Sequence, residues 1–207
     1  MEKIKSSEIL DEIFNKIENP DMAVVGPGIS DELQIADASL FYYLNKLHDK
    51  EGNVTIVDKT PAFFDFYRHN ITKLDFPVTD KISFLSSDVT FTDYAIKNRY
   101  NVASYHCTLP FISRTKDGIK KVIDSGLSTL KDKGKLIFIS FCGESSYPPH
   151  KLFSETTKIL NSHLSSDARL NIETFDIEDS YVIQNGARRE TIWPYYGCNT
   201  MTIATKK

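Results

Sequence analysis

The chain has 207 residues, of which 41% are hydrophobic, enough for one domain with a sizeable buried core. A net charge of −3 gives no basic footprint for duplex nucleic acid. No apolar run reaches the length of a membrane span, and the acid-bearing N-terminus MEKIKSSEILDEIF lacks the apolar stretch of a signal peptide, so a cytoplasmic protein is expected.

Ser6 or Ser7 can cap a first helix with Ile9, Leu10, Ile13, Phe14 and Ile17 on one face; Asn19-Pro20-Asp21 ends it. This helix, residues 1–19, decorates a core spanning 20–207, and together they form a single expected domain. Met22 to Val25 reads as the first strand. Leu33, Ala36, Leu40, Tyr43 and Leu47 recur at helical spacing and predict a helix directly after the turn Gly26-Pro27-Gly28-Ile29-Ser30. NVTIVD (53–58) predicts the second strand, and TPAFFDFYRHN, with proline in its first turn, the next helix. KISFLSSD (81–88) is the third strand, followed by a short helix over 92–98. NVASYHCTL (101–109) is the fourth strand. Ile119, Val122, Ile123, Leu127 and Leu130 mark a helix closed by Lys133-Gly134. KLIFISFCG is a continuous apolar run, the pattern of a buried parallel strand. A helix through Leu152, Phe153, Thr156, Ile159 and Leu160 precedes two last strands, LNIETFDI and TMTIATK.

Strands alternating with helices imply a doubly wound α/β sheet, mostly parallel, with helices on both faces. No helix pattern separates the last two strands, so they pair antiparallel and bring the expected strand count to seven. Ligands of such sheets bind beyond the carboxyl ends of the strands. Those ends hold the glycine turn, Asp58, Asp88, YHCTLPF and CGESS.

The turn runs into Asp31 and Glu32, which on a helix N-terminus favour the helix but repel a phosphate. Thirty residues separate Gly28 from Asp58, against roughly 20 in dinucleotide folds, a difference a long helix would take up. A ligand without phosphates and with a cationic part fits better than a dinucleotide.

Five βα units and an antiparallel last pair resemble the class I S-adenosylmethionine-dependent methyltransferases over roughly residues 20–207. The resemblance implies the strand order 3-2-1-4-5-7-6 and S-adenosylmethionine as cofactor. It assigns Gly26, Pro27 and Gly28 to the cofactor loop, Asp58 to the ribose hydroxyls and Asp88 to the adenine amino group. Lys59 and Val89 flank those acids in the same site, and Tyr105 would steady the sulfonium. That family often carries an acid two residues before the first loop glycine. Here Val24 stands there, and Asp31 or Glu32 is expected to meet the methionine ammonium instead.

His106, ending the fourth strand where an acceptor approaches, is a candidate general base or a histidine hydrogen-bonded under a loop. Arg188 and Arg189 suit an anionic group on the acceptor, and Trp193, Tyr195 and Tyr196 can stack on a ring; the plainer alternative is a solvated hairpin. The expected acceptor is a small molecule. A catalytically silent binding or scaffold subunit, a nucleic-acid methyltransferase and a nicotinamide oxidoreductase are the alternatives. Cys107, Cys142 and Cys198 are odd in number and far apart, so no disulfide framework is expected. The strand order that the resemblance implies brings Cys107, Cys142 and Cys198 to one sheet edge near His106, but without a Cys-x-x-Cys pair no metal is expected.

Overall fold

Alternate residues of each central strand are apolar toward opposite sides, so the sheet needs cover on both faces, and helices supply it. The structure, a computed structural model, describes residues 3–27, 29–30, 35–36, 38–48, 50–73, 79–90, 97–144, 148–185, 188–192 and 197–207. Its elements run β1 (Ile4–Lys5), α1 (Ser6–Asn15), β2 (Asp21–Val25), β3 (Ile29–Ser30), β4 (Ile35–Ala36) and α2 (Ala38–His48). Next come β5 (Asn53–Asp58), α3 (Ala62–Lys73), a 3-10 turn (Thr79–Lys81), β6 (Ile82–Ser86), β7 (Tyr100–His106) and α4 (Leu109–Ile112). The chain continues through α5 (Lys116–Thr129), β8 (Leu130–Ser140), α6 (Pro148–Ser166), β9 (Leu170–Glu178), β10 (Tyr181–Asn185), β11 (Arg188–Ile192) and β12 (Thr200–Lys206).

The main sheet has the order β1-β9-β12-β8-β7-β2-β5-β6. Strands β8, β7, β2, β5 and β6 pair parallel, while β12 runs antiparallel to both β8 and β9. This is the expected order, with eight strands rather than seven. The addition is β1, which pairs parallel with the edge of β9 through Ile4↔Ile177 and Lys5↔Glu178. A two-residue strand has no periodicity of its own, and its partner lies over 170 residues away.

Helices α1, α2 and α3 cover one face: Leu10, Phe14, Leu40, Leu44, Tyr67 and Ile71 pack on Met22, Val24, Ile56 and Val102. Helices α5 and α6 cover the other, where Ile119, Val122, Ile123 and Leu160 meet Ala23, Val25, Val57 and Phe138. Among the described residues no helix is long and apolar enough to cross a membrane.

Two boundaries differ from expectation in ways that shape the site. Ile29–Ser30 and Ile35–Ala36 are strands and not the start of a helix. Ile29↔Ala36 and Ser30↔Ile35 form a small antiparallel ladder, and α2 starts only at Ala38 with no acid in its first turn. The interval to Asp58 therefore contains this ladder and an 11-residue helix in place of one long helix. Helix α5 ends at Thr129, ahead of Lys133-Gly134. Its last carbonyls are taken from outside, by the N–H of Asn98 to Ser128 (3.1 Å) and of Arg99 to Thr129 (2.8 Å).

Candidate functional site

At the end of β2 the backbone turns sharply. Gly26 has φ +53°, a left-handed conformation that favours glycine, and its N–H donates to the Val57 carbonyl at 2.8 Å, tying the turn to β5. A Cβ here would lie 2.8 Å from Cγ2 of Thr108, whose hydroxyl donates to the Val25 carbonyl at 3.3 Å. Geometry and packing thus both require glycine. Pro27 is buried behind it. Gly28, Asp31 and Glu32 lie outside the described residues.

Asp58 closes β5 one strand over. Its Oδ1 accepts the N–H of Thr60 at 2.8 Å, and its Oδ2 accepts the Tyr67 hydroxyl at 3.0 Å. These two bonds fix the carboxylate, and each oxygen retains a second lone pair with which to accept a further hydroxyl. Asp88 stands two residues beyond β6. Thr90 donates to its Oδ1 from both hydroxyl (2.7 Å) and N–H (3.0 Å), while Lys59 pairs with Oδ2 at 3.1 Å. Thr90's hydroxyl first, then, against partial burial that pushes the other way, its N–H and the Lys59 ammonium hold the Asp88 carboxyl below its ordinary value. The Lys59 side chain is 78% exposed, so this pair is screened by water and easily rearranged. Val89 is buried in the same apolar cluster as Ile119 and Val122 of α5.

The end of β7 is arranged differently. Strand alternation sends Tyr105 into the core under α5, where it stacks on Phe138 with ring centroids 4.9 Å apart. Its hydroxyl has no hydrogen-bond partner among the described residues, and burial pushes the phenol up. Tyr105 is thus a core residue and does not line the cleft, a correction to its expected contact with the sulfonium. His106 faces the other way: Nε2 lies 3.0 Å from Asp179 Oδ2, with both side chains enclosed. Asp179 Oδ1 in turn accepts the Ser6 hydroxyl at 3.3 Å. Of the two readings open for His106, the hydrogen-bonded histidine is the arrangement present. Cys107 and Cys198 are paired as a disulfide, which corrects the expectation of none, and Cys142 is free.

Arg188 and Arg189 lie on β11, which pairs antiparallel with β10 through Asn185↔Arg188 and Gln184↔Arg189. The segment is a hairpin, and its first strand packs beside α2. Trp193, Tyr195 and Tyr196 lie outside the described residues.

Sequence reading missed three positions. Tyr67 shares a helical face with Phe64 and Ile71, and its polar tip on that apolar stripe was the available signal. Thr108 sat unremarked in HCTLPF. Asp179, far from His106 in sequence, offered no local signal.

No family model matches the chain, and no curated protein matches it. Solved structures do. A SAM-dependent methyltransferase from Methanosarcina mazei is 12% identical at TM-score 0.62, covering 98% of this chain and 99% of its own. A SAM-dependent methyltransferase from Aquifex aeolicus is 16% identical at TM-score 0.56, covering 96% and 87%. A SAM-dependent O-methyltransferase from Thermotoga maritima is 15% identical at TM-score 0.53, covering 100% and 67%. At these identities the likeness shows the fold: that of the class I SAM-dependent methyltransferases.

Proposed function

We propose that this chain binds S-adenosylmethionine and transfers its methyl group to a small-molecule acceptor. One observation carries the reading. In a methyltransferase fold, a glycine turn, Asp58 and Asp88 stand on the carboxyl ends of three adjacent parallel strands, β2, β5 and β6. The residues present suit the group. The backbone at Gly26 is bare, Asp58 can accept two hydroxyls, and Asp88 can accept an amino hydrogen once the exposed Lys59 swings aside.

When bound, S-adenosylmethionine supplies a methyl group on a sulfonium, open to in-line displacement. Asp58, held by Thr60 and Tyr67, grips the ribose hydroxyls. Asp88, held by Thr90, orients the adenine. The protein's contribution is then mainly positioning, which alone is worth several kcal/mol in well-oriented reactions. His106 is given no proton to move, because its ring is turned to Asp179; the acceptor arrives as a nucleophile or loses its proton to water. The β10–β11 hairpin, with Arg188, Arg189, Trp193 and Tyr195, supplies the acceptor wall in this reading.

The test is formation of S-adenosylhomocysteine with panels of small acids, phenols and amines, set against nucleic acids. Turnover with a small molecule supports the reading, whereas methylation of the nucleic-acid panel alone replaces the acceptor class. A second reading, a catalytically silent binding subunit, is favoured by the enclosed His106 and by the apolar, buried Val24. Cofactor binding without turnover across both panels would support it.

A further inference from the structure

Three metal-ligating side chains converge where β7 ends and the lead into β12 begins. His106, Cys107 and Cys198 are all buried, and one ligand atom of each lies within 4.8 Å of the others. Consecutive strand residues normally point to opposite faces, so a His-Cys pair on a strand should diverge. Cys107 does not follow that rule. Its φ is +52°, rare for a residue with a side chain, and it joins Val102 and Cys198 in the cluster on the α1–α3 face, the face of His106. A strained backbone at this one residue gathers the three groups.

The paired sulfurs belong to residues whose Cα atoms are 7.5 Å apart, beyond the roughly 4.4–6.8 Å over which disulfides are found. A metal bridges wider spans. Two thiolates each about 2.3 Å from a tetrahedral zinc stand roughly 3.8 Å apart, against about 2.05 Å in an S–S bond.

We propose that, when Cys107 and Cys198 are reduced, these two thiolates and the His106 imidazole bind a zinc ion, with Asp179 as the outer carboxylate that orients the ring. Binding converts two thiols and Zn²⁺ into two zinc-bound thiolates and two released protons. Two thiolates cancel the charge of the ion, which suits a buried site. Thiolate and imidazole together select a borderline-soft metal over calcium or magnesium. Nε2 of His106 faces Asp179 at 3.0 Å, so the carboxylate stands where it can orient the ring in a carboxylate–histidine–metal arrangement. The ion ties β7 to β12 across β8 and stands independently of the cofactor reading. It departs from the sequence expectation of no metal because backbone geometry at Cys107, not ligand spacing, builds the set.

The experiment uses the full chain, purified without chelators in a phosphine reductant. Elemental analysis is expected to give one zinc per chain, and cobalt substitution to give the intense thiolate-to-cobalt charge-transfer band of a tetrahedral sulfur site. Asp179→Asn is expected to weaken zinc affinity about ten- to a hundredfold, and Cys198→Ser by more. Cys142→Ser is expected to load as wild type. Reduced wild-type protein without stoichiometric metal, or with cobalt bound but no charge-transfer band, overturns the proposal without recourse to any variant. Loss of the metal in Cys142→Ser overturns the assigned ligand set.

Discussion

The carboxyl edge of the sheet has two halves built on opposite plans. On the β2–β5–β6 side, Asp58 and Asp88 are held by one or two bonds per oxygen and reach solvent, and their cation, Lys59, is exposed. On the β7–β12 side, His106, Asp179, Ser6, Cys107 and Cys198 bond to one another and are buried. The first half keeps acceptor capacity for a ligand. In the second, polar groups satisfy each other inside the fold, and their removal acts on stability before it acts on binding. Charged residues at a strand end therefore do not by themselves mark a ligand site; what matters is whether their hydrogen-bonding capacity is already filled from within.

The comparison yields a double dissociation. The largest effect is expected from Asp179→Ala, which removes the acceptor shared by the His106 ring and the Ser6 hydroxyl. The Ser6 hydroxyl keeps the Ser180 carbonyl at 3.0 Å, so the cost falls mainly on the buried His106 bond, about 1–3 kcal/mol. For a chain of this size that lowers Tm by about 2–12 °C in calorimetry. Affinity for S-adenosylmethionine should stay within about twofold, since that half is untouched.

Asp58→Ala should do the reverse. It forfeits charge-assisted bonds to two hydroxyls, worth about 1.5–3 kcal/mol each, so affinity should fall at least tenfold by isothermal titration while the protein stays folded. A folded variant with unchanged affinity removes Asp58 from the site.

Asp88→Ala should be milder, about tenfold or less, because its carboxylate is partly exposed and competes with water. The pH sign follows from its lowered carboxyl. A carboxylate held below its unfolded value contributes stability that is complete above the ordinary carboxylate range and lost as pH falls through the folded value. Thermal scans of wild type and Asp88→Ala should therefore differ by a constant small amount from pH 8 to pH 5 and converge below about pH 4. A gap that opens near pH 6 to 7 would point to a histidine instead.

The smallest effect is expected from Tyr105→Phe. Removing a buried hydroxyl without a partner should be neutral or stabilising by up to about 1 kcal/mol, with cofactor affinity unchanged. A loss of affinity in chemical denaturation-matched samples would return Tyr105 to the site.

The seven long strands, the antiparallel last pair and the places of Asp58 and Asp88 were legible because strand–helix alternation and apolar patterns repeat at scales a sequence displays, whereas the strand order was legible only through the resemblance to the methyltransferases. The ladder between Ile29–Ser30 and Ile35–Ala36 was not. Leu33 and Ala36 sit at helical spacing from Leu40, and a two-residue ladder is too short to show its own period. The fate of His106 was hidden for another reason. Its partner, Asp179, arrives from β9's far end, 73 residues away, and such a pairing is written only in three dimensions. The left-handed turn at Cys107 likewise has no glycine or asparagine to announce it.

The central claim is that the open half is a site for S-adenosylmethionine and not for a dinucleotide. Isothermal titration of the full chain with S-adenosylmethionine, S-adenosylhomocysteine and NADH, run beside Asp58→Ala, tests it most directly. Saturable binding of both adenosyl compounds at one per chain, weakened at least tenfold in Asp58→Ala and with no heat from NADH, is the predicted result. NADH binding in place of S-adenosylmethionine, or no adenosyl binding by the folded chain, would contradict it.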